Sequence, residues 1–418
     1  MEFGLHWRVF PLLLSVFFCT SITTSQDKPF VIEGYGEMVY SHFDFGPDQK
    51  SGDSGSPSDS RAEIDISRFV LEFKSCLSEK IHFETEIEFE HGGVGSALEL
   101  DFEEFGEFEQ EVEKGGEIEL EQFHVTYSFS TAVNLRLGHF IVPVGLINKA
   151  HKPTQFFTAR RPEAETGLIP TTWHETGAEL FGQFGNFAYR FLLVNGLDSS
   201  GFSSKHWIIE GRQGRFEQVK ITDVALATTL DYTGIGGLYI GVSAYHGGST
   251  DNRPKPDMTG IDGDVTVFDL HAAVDRGPLV ARALFLNGNI ENADLISSKN
   301  SRLSTNLNVP RTPVAKTARA AYAEVGYDVF AFFASSTKYK LYPFLRYEYY
   351  NSMQEVDAGI FADPRFERKL LSFGLNFMPA PNVVVKTEYS HRTFGDNDIN
   401  DENTFSVGLG FYGEFFEN

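Results

Sequence analysis

Four carboxylates fall on alternate positions of one short stretch: Glu84, Glu86, Glu88 and Glu90, interleaved with Phe83, Thr85, Ile87 and Phe89. On an extended backbone successive side chains point to opposite faces, so the glutamates would share one face. A carboxylate column beside water draws cations. A second group has the opposite sign. Lys149, Lys152, Arg160 and Arg161 lie in a stretch that also holds Pro143, Pro153, Pro162 and Pro170, and Glu163 and Glu165 dilute their charge. Arginine makes bidentate contacts with phosphate-like oxyanions, so this group could tune anions. Arg136, Arg346, Glu348, Lys386 and Glu388 fall on the polar side of other alternating segments.

Covalent chemistry has little footing. Histidines 124, 139, 151, 174, 206, 246, 271 and 391 are scattered without paired metal-ligand spacing. No Gly-x-Ser-x-Gly and no phosphate-binding glycine loop ahead of a helix occurs. No catalytic residue, metal ligand set or cofactor is expected. Residues 99–113 carry eight carboxylates, which suit Ca²⁺ or Mg²⁺ in type. They lack the spacing of a defined calcium loop, so a solvated acidic loop is expected there.

The elements that must position these residues are strands. The chain has 418 residues, with 40 Phe, 39 Gly, 16 Tyr and 2 Cys, and a net charge of −23. That charge offers phosphates no basic surface, which excludes a nucleic-acid partner. No internal run approaches the roughly 20 apolar residues of a membrane helix. Sixteen segments of about 8 to 14 residues alternate with period 2. Leu371, Phe373, Leu375 and Phe377 oppose Ser372, Gly374 and Asn376; Phe405, Val407, Leu409 and Phe411 oppose Ser406, Gly408 and Gly410. Charges on the second face would be costly against lipid but acceptable in a water-filled lumen. Short turns alternate with long polar loops, as at the two rims of an outer-membrane barrel. The fold expected is all-β: a transmembrane antiparallel barrel of about sixteen strands. That size leaves room for an aqueous channel.

Residues 1–25 read as a signal peptide: Arg8, an apolar core over 9–18, and a small-residue zone over 20–25. Phe18 before Cys19 argues against lipid attachment. The mature chain would keep only Cys76 and form no internal disulfide. Residues 26–418 would form the barrel. The loop over 141–175 is the longest, and folded inward it would be the constriction, with Lys149, Lys152, Arg160, Arg161, Glu163 and Glu165 at the aperture. Arg136, Glu84, Glu86, Glu88, Glu90, Arg346, Glu348, Lys386 and Glu388 would line the pore.

LRLGHFIVPVGL at 135–146, FFTARRPEAETGLIP after it, and TGAELFGQFGNFAYRFLLVNG at 176–196 resemble the phosphate-selective porin O and P family. The resemblance implies a sixteen-stranded homotrimeric porin of the bacterial outer membrane with its third loop as constriction. Phosphate selectivity does not follow, because the acidic column competes with the basic loop. The expected activity is passive diffusion of small hydrophilic solutes or inorganic ions, with outer-membrane lipid as the surrounding partner. An oxyanion-selective channel and a non-conducting structural or adhesion barrel are the alternatives. Nothing such as an amino-terminal coiled coil enforces a trimer.

Overall fold

A computed structural model describes residues 30–47, 58–93, 96–104, 107–116, 118–213, 219–303, 311–333 and 338–417. The expected signal segment, 1–25, lies outside them. Eighteen strands follow in chain order: β1 Phe30–Pro47, β2 Ser58–Ser78, β3 Ile81–Glu90, β4 Ser96–Glu104, β5 Glu107–Gly115, β6 Ile118–Ser130, β7 Val133–Ile141, β8 His174–Phe184 and β9 Phe187–Asn195, then β10 Val224–Ile235, β11 Leu238–Gly247, β12 Val265–Arg276, β13 Leu279–Ile290, β14 Thr317–Tyr327, β15 Lys340–Glu355, β16 Glu367–Ala380, β17 Val383–Phe394 and β18 Glu402–Glu417. Sixteen of these pair antiparallel with their neighbours and close where β1 meets β18, with Met38 opposite Leu409 and Tyr40 opposite Val407. Closure leaves no open sheet edge in a phase without water to satisfy it.

Period-2 patterning sets the two faces. Leu226, Leu230, Ile240, Val242, Phe268, Leu270, Leu345, Leu371, Phe373, Leu375 and Leu409 are exposed on the outer wall. Thr229, Ser243, Asp269, His271, Arg346, Glu348, Ser372, Lys386 and Ser406 are buried inside. An apolar exterior around a polar interior inverts the soluble pattern and suits a lipid-facing wall.

One rim carries tight turns. Gly237 and Gly277 adopt φ of 74° and 62° there, which side chains rarely tolerate. A tight turn is also expected over 331–339, but the β14–β15 connection runs from 328 to 339 and contains a 3₁₀ turn, Val329–Phe332. The Asp328 carboxylate caps that turn by accepting from Phe330 N at 3.2 Å. The opposite rim carries the long connections. One holds a surprise: β4 and β5 form a separate two-stranded hairpin where a plain acidic loop is expected. The signal is visible in retrospect, since Leu98, Leu100 and Phe102 alternate with acids. Its side chains lie outside the described set, and with them the question of divalent-ion binding.

Cys76 is buried, with its Sγ 3.7 Å from His82 Nδ1; the expectation that it forms no internal disulfide involves Cys19 and is not decided among the described residues. That expectation rests on removal of Cys19, which lies outside the described residues.

Candidate functional site

Residues 142–173, between β7 and β8, cross the inside of the barrel. The base is closed by Val142 N donating to Trp173 O at 2.8 Å. Asn148 staples the crossing: its Nδ2 donates to Val142 O and Val144 O at 2.8 and 2.9 Å, and its Oδ1 accepts from Trp173 N at 2.6 Å. Glu165, in the short helix α1 Glu163–Thr166, accepts from Ile147 N and Asn148 N at 3.1 and 2.6 Å. Burial pushes the Glu165 carboxyl up despite those donors. Gly145 has φ of 86°, and a Cβ there would meet Glu165 Oε1 at 2.4 Å. The turn therefore requires glycine.

The walls hold this loop on every side. On β17, Lys386 Nζ donates to Phe156 O at 3.0 Å and to Thr158 O at 2.8 Å, and Glu388 accepts from Ala159 N at 2.6 Å. On β15, Glu348 accepts from Ala164 N at 2.8 Å, and Arg346 reaches Thr158 Oγ1. On β12, Asp269 accepts from Gly145 N at 2.8 Å. Phe157 stacks on Phe344 at 5.5 Å between ring centroids. Arg346, Glu348, Lys386 and Glu388 face inward, but they grip the loop rather than open water.

The six expected aperture residues separate into two sets. Lys149 is 7 % exposed, 3.1 Å from His271 and 3.8 Å from Asp231. Burial lowers its ammonium pKa against the pull of Asp231 and Asp269. Glu165 is locked as described. Lys152 keeps 29 % exposure and pairs with Glu72 on β2 at 2.8 Å. Burial alone would lower its pKa, but Glu72 carries it up. Arg160 is the most accessible, at 49 %, with Asp65 of β2 at 4.0 Å. Arg161 donates to Thr172 Oγ1 at 2.7 Å. Glu163 accepts from Tyr350 at 2.9 Å and pairs with Arg392. Burial would raise the Glu163 carboxyl, yet Arg392 and Arg368 hold it below the usual range.

The acidic column turns inward but meets cations. Glu88 pairs with Arg68, which also reaches Glu121 at 2.9 Å. Glu84 lies 4.0 Å from Lys74, which also holds Glu33 and Glu72 at 2.7 and 2.9 Å. Glu86 accepts from Tyr35 at 3.2 Å. Glu90 is half-buried at the end of β3. Arg136 pairs with Glu179 at 2.9 Å over the Phe181 ring. Arg68, Glu72 and Lys74 escaped the sequence reading, although their alternation with Phe69, Leu71 and Phe73 marks the inner face of β2. Asn148 had no such signal; its role is purely conformational.

No protein-family model matches the chain. The chain is 27 % identical over 372 residues to an uncharacterized protein of Aquifex aeolicus (strain VF5), covering 88 % of this chain and 77 % of that protein. Among solved structures it is similar to an anion-selective porin from Comamonas acidovorans, at 10 % identity, 93 % and 100 % coverage of this and that chain, and a TM-score of 0.51. It is similar to the outer membrane channel DcaP of Acinetobacter baumannii at 10 % identity, 93 % and 99 % coverage and a TM-score of 0.51. Salmonella typhi OmpF matches at 11 % identity, 91 % and 97 % coverage and a TM-score of 0.51. At these identities the likeness speaks to the fold alone: the chain forms a sixteen-stranded, porin-like β-barrel.

Proposed function

We propose that the chain is an outer-membrane porin that passes small hydrophilic solutes and ions passively, around the edge of an inward-folded third loop. The observation that carries this reading is the unequal exposure of charges around that loop. Arg160, Lys152, Glu33 and Glu84 keep 49 %, 29 %, 30 % and 25 % of their side-chain surface accessible against β1–β3, and Glu163 keeps 32 % beside Tyr350 of β15 and Arg392 of β17. The opposite side is packed. The aqueous route therefore runs along β1–β3.

Charge pairing along this route supports weak ion preference rather than phosphate selectivity. Lys152 and Lys74 sit on Glu72, and Arg160 faces Asp65. An oxyanion filter needs cations whose donors are not already engaged by carboxylates. The oxyanion reading retains one favourable observation, the accessible guanidinium of Arg160 with its partner at 4.0 Å. A homotrimer, as the sequence resemblance implies, is compatible with the apolar outer wall.

The test is single-channel recording from purified protein in a planar bilayer under a roughly tenfold KCl gradient. Conducting steps with a reversal potential near zero are expected. A strongly anion-sided reversal, abolished by Arg160→Gln with Arg161→Gln, would establish the oxyanion filter instead. Well-folded protein without conducting steps would leave a structural barrel.

A further inference from the structure

We infer that Glu86, Glu121 and His151 form a binding site for a divalent transition-metal ion, tying the crossing loop to the barrel wall. Glu86 stands on β3, Glu121 on the neighbouring β6, and His151 on the crossing loop. Ligand-capable atoms of all three lie within 4.8 Å of one another, and their residues are 2 %, 1 % and 7 % exposed.

Three independent features point to a cation. The first is the histidine. His151 Nδ1 lies 3.1 Å from Asn148 O. A carbonyl can only accept, so Nδ1 carries a proton, and the tautomer that could bind a metal presents its lone pair at Nε2. That lone pair faces Glu86 Oε1 at 3.9 Å. A tetrahedral zinc with bonds of about 2.0–2.2 Å sets its ligands roughly 3.4 Å apart, so the pair would close by about half an ångström on binding. A backbone carbonyl on the far ring nitrogen is also the arrangement that orients metal-bound imidazoles.

The second is an unsatisfied oxygen. Arg68 occupies Oε1 of Glu121, but buried Oε2 has no donor among the described residues, and the side-chain partner of Glu121 besides Arg68 is another carboxylate, Glu88. A carboxylate oxygen left bare in a dry site is costly, and a cation would remove that cost. The third is charge. Glu86, Glu88 and Glu121 converge here, and Arg68 is the guanidinium bonded to two of them. Ionised, the group carries more negative charge than its bonded arginine balances.

The donor set chooses the ion. Ca²⁺ takes six to eight oxygens, whereas two carboxylates and an imidazole suit Zn²⁺ and its neighbours. Residues 86, 121 and 151 form no local motif, so spacing along the chain could not reveal the cluster.

The experiment is equilibrium dialysis of folded, detergent-solubilised full chain against ZnCl₂, for wild type, His151→Ala and Glu121→Gln. The acidic β4–β5 hairpin is common to all three, so the difference between them is the readout. One high-affinity Zn²⁺ per wild-type chain is expected, weakened more than about tenfold in each variant, since even outer-shell changes cost 10- to 100-fold. A second readout needs no variant: Co²⁺ bound by the wild type should show visible d–d absorption that Zn²⁺ abolishes. Equal Zn²⁺ binding by all three proteins, or no high-affinity site and no Co²⁺ spectrum in the wild type, overturns the inference. The second result would mean that protons alone balance these carboxylates. Binding is read without conduction, so a silent barrel would not affect this outcome.

Discussion

The two sides of the lumen are built on different principles. Along β9–β14 many inward positions are small or apolar, namely Val194, Ala225, Ala227, Val265, Val267, Leu286, Ala318 and Ala320, and the charged ones, Asp231, Asp269, His271, Arg282 and Glu324, are buried among them. They close on Leu146, Leu168, Trp173 and Trp207 in one continuous core. Trp207 sits so close to β13 that a Cβ on Gly288 would meet its ring at 2.0 Å. Along β1–β3 the inward positions Glu33, Glu72, Lys74, Glu84, Arg68 and Glu88 are tied in ion pairs, and Glu86 accepts from Tyr35. The packed side fixes the crossing loop by excluding water. The charged side needs water or counter-charge, because unpaired ions in a dry interior are costly. In the function proposed, a loop anchored on one side and facing ion pairs on the other divides the barrel into a plug and a passage.

Breaking the anchor should have the largest effect. Lys386→Met removes two charge-assisted hydrogen bonds and leaves two buried carbonyls bare, an expected loss of about 3 kcal/mol. Denaturant unfolding in detergent would measure it, and noisier, larger conductance steps should accompany it. Gly145→Ala strains the loop's first turn and should cost about 1–3 kcal/mol. The same substitution at Gly408, where a Cβ would meet nothing nearer than 3.6 Å, should be milder.

Acid should loosen the loop from its β17 side. The folded pKa of Glu163 is depressed, so its contribution is present above the ordinary value of 4.5 and is lost as pH falls through the depressed value. Glu163→Gln should remove this pH dependence from the unfolding midpoint while leaving neutral-pH folding intact. The smallest effect belongs to the passage itself. Arg160→Gln should shift the reversal potential toward cations by about 0.5 kcal/mol, roughly twofold in permeability ratio, because one exposed charge is well screened.

The wall was readable from the chain because its period is local. The alternation over 369–377 lies wholly within β16, and the alternation over 133–140 stops one residue short of the end of β7. Closure follows from an even strand count. The interior was not readable, because its partners lie far apart in sequence. Lys386 donates to a carbonyl 230 positions away, and Glu348 accepts from an amide 184 positions away. The inward direction of Lys386 follows from its strand; whether it meets water or a loop depends on where residues 142–173 settle. The same applies to Lys149 and Arg160. They look alike in sequence, yet one is sealed against β10–β12 and the other is accessible beside β2.

That pair offers the most direct test of the account. Arg160→Cys and Lys149→Cys would be recorded as single channels before and after a negatively charged methanethiosulfonate reagent. A lasting drop in conductance is expected for Arg160→Cys and no change for Lys149→Cys. Modification of Lys149→Cys with Arg160→Cys unaffected would put the passage on the opposite side of the loop and contradict it.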